Sequence, residues 1–99
     1  MTQLNEDFLQ AVKDNNASAA KFYLRLGADV NALDIYEWTT LMWASNKGYT
    51  NIVKLLLDAG ADVNVKSNSG WTALMYASDY GYTDIINLLK QYGAIDDTT

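Results

Sequence analysis

The sequence predicts an all-α solenoid of three helix-turn-helix repeats joined by β-turn loops. The stretch Trp38 to Ser45 returns, with two changes, as Trp71 to Ser78, 33 residues later. A Gly-Ala pair recurs at the same interval, at Gly27, Gly60 and Gly93. Between these marks the apolar residues fall at helical spacing, first Leu41, Met42, Ala44 and Ser45, then Ile52, Leu55 and Leu56, so one period holds two short helices. A unit of this kind cannot bury its apolar face alone, and about three stacked units are the fewest that enclose a continuous core.

The first unit spans residues 1–33. Its opening acids Glu6 and Asp7 suit the positive end of a helix, and Asn15 holds the place that Gly48 takes in the next unit, a left-handed position that Asn tolerates. Ala19 and Ala20 stand where Ile52 and Val53 stand later, a wetter face that suits a terminal unit. In the second unit, residues 34–66, Thr39 is placed to cap the first helix and Asn46-Lys47-Gly48 to end it. Thr50 is expected to cap the second helix. There Ile52, Leu55 and Leu56 form one stripe that Val53 and Leu57 broaden, so the helix must be covered on more than one side. Gly60 stops it. The third unit, residues 67–95, repeats this plan but replaces Leu57 and Lys54 by Lys90 and Asn87. Residues 96–99 are expected to form a disordered tail, and residues 1–99 to make one domain.

After the second helix of the first two units comes Gly-Ala-Asp-Val-Asn, at Gly27 to Asn31 and Gly60 to Asn64. With the period, this loop resembles the ankyrin repeat over nearly the whole chain. The resemblance implies a loop extending into a β-turn directed away from the helix pairs. Asp29, Asn31, Asp62 and Asn64 then act as turn formers, and Val30 and Val63 as the buried contact between adjacent loops. Three departures from the family stand out. Its Thr-Pro-Leu-His is replaced by Thr39-Thr40-Leu41-Met42 and Thr72-Ala73-Leu74-Met75, so Met42 and Met75 are expected to substitute apolar packing for the histidine's polar bridge. Glu37 occupies the place of a β-turn glycine, where the next unit has Gly70. If that turn needs positive φ, the side chain costs about 1 kcal/mol or more. Tyr49 and Tyr82 stand where the family commonly has a histidine between helices, and are expected to be semi-buried with the hydroxyl on backbone.

Composition narrows the function classes. With 99 residues, 49% hydrophobic and 19% charged, the chain can bury a core. A net charge of −5 with scattered Lys and Arg opposes nucleic-acid binding. No segment reads as a signal peptide or membrane span, and the lack of cysteine suits a reducing compartment, so the expected location is the cytoplasm. With neither His nor Cys, nucleophilic triads and the usual zinc sets cannot form, and no glycine-rich phosphate loop is present. No enzyme activity, metal or cofactor is expected; the adjacent acids Glu6-Asp7 and Asp96-Asp97 are poorly placed for a carboxylate mechanism. The absence of every Pro and His, unusual for the family, leaves natural and engineered origins both open.

What remains is a set of large aromatics at positions that the resemblance places on the concave side. Ile35, Tyr36 and Trp38 belong to the first β-turn and its exit, Trp71 to the second, and Trp43, Tyr76 and Tyr80 to the first helices of their units. The shared repeat positions of Trp38 with Trp71, and of Trp43 with Tyr76, predict side-by-side pairs. Such rings are frequent anchors of protein interfaces; Trp43 and Tyr76 can equally fill gaps between helices. Glu37, Asn46, Lys47, Asn68, Ser69 and Asp79 would form the polar rim. The expected function is a non-catalytic module presenting its concave surface to a protein partner. The alternative is a scaffold or self-associating unit whose aromatics meet in a homodimer.

Overall fold

A computed structural model describes residues 2–96. The described helices are α1 (Gln3–Lys13), α2 (Ala17–Arg25), α3 (Thr40–Lys47), α4 (Thr50–Asp58), α5 (Ala73–Tyr80) and α6 (Thr83–Gln91). They pack as the pairs α1/α2, α3/α4 and α5/α6, and the pairs stack through an inner row α1, α3, α5 and an outer row α2, α4, α6. The resulting body measures 39 × 25 × 20 Å.

The 33-residue offset is visible in the core, because equivalent residues are buried in successive units. Phe8, Leu41 and Leu74 occupy one repeat position and are all buried, as are Ile52 with Ile85 and Leu56 with Leu89. Repetition of one apolar position thus builds a continuous strip of core, each link worth about 1.5 to 3 kcal/mol of burial.

Helix ends follow from local chemistry. The Thr39 hydroxyl accepts the Met42 N–H at 3.1 Å, and Thr72 accepts the Met75 N–H at 3.3 Å. Gly48 and Gly81 end α3 and α5 at φ 76° and 70°, and Asn15 takes the left-handed position, at φ 54°, one residue past the Asp14 cap of α1. Gly48 is required for a second reason: a Cβ there would stand 3.0 Å from the ring of Tyr82. The expected Thr50 cap is corrected. The link from Gly48 is so short that Tyr49 takes the cap position without a side-chain bond, and Thr50 is the first helical residue. Tyr49 is committed elsewhere, its hydroxyl donating to the Lys13 carbonyl at 3.2 Å.

The methionines diverge. Met42 is buried, and its sulfur accepts the Thr39 N–H at 3.5 Å, closing a reciprocal cap around the start of α3. Met75 is only half-buried, so the apolar packing expected of it is partial. In the place of the family's proline, the Thr40 hydroxyl donates to the Val30 carbonyl at 2.6 Å and joins α3 to the preceding loop.

The loops are tied by a ladder of asparagine rungs. Asn5, Asn31 and Asn64 accept the N–H groups of Asp29, Asp62 and Ile95 at 2.8, 2.8 and 2.9 Å. Asp29 and Asp62 turn inward on their own loops, accepting from Asn31 and Asn64. Val63 is buried as expected, whereas Val30 is half-buried. Behind the ladder, Lys54 and the Tyr92 hydroxyl both donate to Asp58 and tie α4 to α6.

The two ends are not uniformly polar. Phe22 on α2 and Leu26 just past its end are exposed; their repeat equivalents, Leu55 on α4 and Ala59 just past it, face α2 across a groove. The expectation of a disordered tail falls on residues 97–99, outside the described residues, while Asp96 reaches Lys90 at 3.8 Å.

Candidate functional site: two fingers and a row of rings

Each inter-unit loop narrows into a finger of the same backbone design. In the first, the Asp34 N–H donates to the Trp38 carbonyl and the Glu37 N–H to the Asp34 carbonyl, both at 3.0 Å. In the second, Ser67 N–H to Trp71 carbonyl and Gly70 N–H to Ser67 carbonyl each measure 2.8 Å. A single antiparallel bridge between Leu33 and Thr39 closes the base of the first finger. Glu37 has φ 60° where Gly70 has φ 82°, so the left-handed backbone inferred from Gly70 is present with a side chain that disfavours it.

Asp34 holds the first finger. Its carboxylate is buried and accepts the Tyr36 N–H at 2.8 Å, the Trp38 N–H at 3.0 Å and the Trp43 indole N–H. Lys13 stands 3.9 Å away. Ser67, 33 residues on, performs the same task with one atom: its hydroxyl oxygen lies 3.3 Å from the Trp71 N–H and accepts from the Tyr76 hydroxyl at 3.0 Å. Sequence reasoning missed both residues. The signal was present, since each precedes the aromatic of its inner helix by nine positions.

The rings are interleaved, not paired by repeat position as expected. Trp38 lies 5.3 Å from Trp43 and 4.4 Å from Tyr76, and Tyr76 lies 5.2 Å from Trp71. Finger and helix rings therefore alternate along one row, because each finger leans over the next inner helix. Two cations finish its first end, with Lys13 and Lys47 at 4.8 and 5.8 Å from the Trp43 ring. Contacts of this kind contribute about 0.5 to 1 kcal/mol each at exposed sites.

Exposure separates the candidate residues. Ile35 and Tyr36, at the tip of the first finger, are 87% and 64% exposed, and Trp71 is 37% exposed. Trp38 and Trp43 are half-buried, and Tyr76 is buried, so Tyr76 acts in the row as packing. Tyr80 is exposed but stands apart from the row, stacked on Tyr82 at 5.5 Å. Of the rim residues, Asn46 and Lys47 lie at the end of α3, Asn68 and Ser69 at the tip of the second finger, and Asp79 beside Trp71. Between α1 and the first finger opens a cleft of 320 Å³ bordered by Leu9, Gln10, Lys13 and Ile35.

A family model of ankyrin repeats in three copies matches residues 8–99. This chain belongs to the ankyrin-repeat family. Ankyrin repeats are in general protein–protein interaction modules and typically non-enzymatic. No curated protein matches the sequence. In this ankyrin domain no described helix is long and apolar enough to cross a membrane, and no described group of His, Cys, Asp or Glu could hold a metal ion.

Proposed function

We propose that this chain is a non-catalytic protein-binding module of the cytoplasm, formed as one domain from repeats at about 1–33, 34–66 and 67–95, which holds a protein partner on its concave side. Ile35, Tyr36, Trp38 and Trp71 are its anchors, with Glu37, Asn46, Lys47, Asn68, Ser69 and Asp79 as rim and Trp43 and Tyr76 as the packing beneath. The observation that carries this reading is the contrast between two fingers of equal backbone. The second ends in Asn68-Ser69-Gly70, ordinary for a solvated turn, whereas the first holds Ile35 and Tyr36 out in water on a backbone fixed by Asp34. Neither side chain is needed for the core, and large apolar groups kept exposed on rigid backbone favour contact with a partner.

The test compares the parent chain with an Ile35→Ser/Tyr36→Ser variant as bait in quantitative affinity capture, with thermal melting as the control. Proteins held by the parent and reduced about tenfold or more by the variant, at unchanged melting temperature, are the expected result. Equal recovery by both baits would remove the first finger from the binding surface. A parent chain of twice the monomer mass in light scattering, reduced to monomer by the double variant, would favour the homodimer instead.

A further inference from the structure

The two junctions between successive outer helices share one repeat plan and differ in what spans them. The first, between α2 and α4, is an open groove of about 290 Å³ bordered by Lys21, Leu24, Arg25, Leu55, Asp58 and Ala59. At the second, between α4 and α6, Asp58 holds the place of Arg25 and Tyr92 that of Ala59, each 33 residues on. The Asp58 carboxylate accepts from both Lys54 and the Tyr92 hydroxyl, so a polar bridge crosses this junction. Leu57 is 3% exposed there, whereas its counterpart Leu24 in the open groove is half-buried.

The same exchange of residues leaves two cations without a carboxylate. Lys13, Lys54 and Lys90 have acidic partners in Asp34, Asp58 and Asp96. Among the described residues, the side chains of Lys21 and Arg25 make neither an ion pair nor a hydrogen bond. Both are exposed, and their spacing of four sets them side by side on α2, where like charges repel. In the next repeat the equivalent pair, Lys54 and Asp58, is of opposite sign and satisfies itself. The first groove therefore joins an apolar floor to a local positive excess, on a chain whose net charge is −5.

We infer that the groove between α2 and α4 is a second docking site, taken by an acidic segment of a different protein. One large apolar side chain of that segment enters between Leu24, Leu55 and Ala59, and two carboxylates meet Lys21 and Arg25. Exposed ion pairs add little affinity, so the apolar side chain supplies most of the binding and the charges select the partner. The first finger of a second copy fits less well, because Asp34 is buried and Glu37 alone faces two cations. The inference is independent of the concave-side reading, since none of the groove residues takes part in that surface.

The probe is a displayed library of random dodecapeptides selected on the full chain, with the recovered peptides titrated by fluorescence anisotropy. Peptides carrying at least two acidic residues around a large apolar one are expected, binding more weakly as salt rises. Their affinity should fall about tenfold or more for Arg25→Asp/Ala59→Tyr, which copies the bridged junction, and for Lys21→Glu/Arg25→Glu, which alters exposed side chains only. The Ile35→Ser/Tyr36→Ser chain should bind them as the parent does. Recovery of no peptide, recovery of peptides without acidic residues, equal binding to the charge-reversed chain, or loss of binding in the Ile35→Ser/Tyr36→Ser chain would each overturn the proposal. So would self-association of the chain alone that Lys21→Glu/Arg25→Glu removes, because a second copy would then own the groove.

Discussion

Replacing Asp34 by alanine tests whether one buried carboxylate organises both the first finger and the row of rings. Three N–H donors lose their acceptor: the Tyr36 and Trp38 amides and the Trp43 indole. Hydrogen bonds to charged acceptors contribute about 1.5 to 3 kcal/mol each, but the Tyr36 amide sits at an exposed tip and regains water, so little is lost there. The other two lie at half-buried residues and count for about 1 to 2 kcal/mol each. The half-exposed Lys13 adds little at 3.9 Å. A net loss of about 2 to 4 kcal/mol is expected, a large part of the roughly 5 to 15 kcal/mol that a domain possesses. The molecule also provides its own conservative replacement. Ser67 holds the second finger with a single oxygen, so Asp34→Ser should recover about half of the loss. Urea unfolding followed by tryptophan fluorescence measures both. An alanine variant within about 1 kcal/mol of the parent, or a serine variant no better than alanine, would refute the keystone role.

Three further outcomes can be measured on the same apparatus. Glu37→Gly should gain several tenths to about 1 kcal/mol, because relief of the left-handed backbone outweighs the added freedom of the unfolded chain; a loss above about 0.5 kcal/mol in urea would contradict this. Ser45 is buried with its hydroxyl unbonded, and its equivalent in the first repeat is Val12. Ser45→Ala should therefore leave stability unchanged or raise it by about 1 kcal/mol, and a clear destabilisation would mean the hydroxyl has a partner after all. Asp58 is held below its ordinary pKa of 3.8 by the hydrogen bonds from Lys54 and Tyr92, and Lys54 above its ordinary 10.5 chiefly by the bond to Asp58. The carboxylate's contribution is thus present above its unfolded pKa and fades as pH falls through the lower folded one, and that of the ammonium fades as pH rises through its raised folded value. Asp58→Asn should be less stable than the parent at neutral pH, with the gap closing on strong acidification; a gap constant across the acid range would dissociate it from this contact.

The repeat length, the Thr39 and Gly48 boundaries and the positive φ at Glu37 were readable because each is decided within a few residues of backbone. The keystones were not. A polar residue in a loop looks like a solvated turn former, and Asp34 and Ser67 gain their role only when the inner helix folds back to place Trp43 and Tyr76 beside them. The ring order failed for a related reason: a common repeat position states equivalence, whereas contact depends on how far each finger leans over the following helix. Thr50 misled because its hydroxyl and its place after Gly48 resemble a cap, and the tight turn shifts that position to Tyr49. For Phe22, Leu26 and Met75 the repeat alignment identifies counterparts, but their exposure depends on whether a neighbour stands next to them, which local sequence does not encode.

The asparagine rungs bear on how the molecule comes apart. Asn31 and Asn64 each fasten one loop to the next, and Asn5 does this for the first loop from the opening turn of α1. An amide held this way meets solvent only when its loop separates from the group that holds it, so deuterium uptake at Asp29, Asp62 and Ile95 records the opening of three successive contacts along the stack. Equal uptake rates mean the solenoid opens as one body; graded rates reveal the end from which it unzips. Three backbone protons, spaced along the long axis, thereby serve as a built-in gauge of cooperativity that needs no label and no substitution.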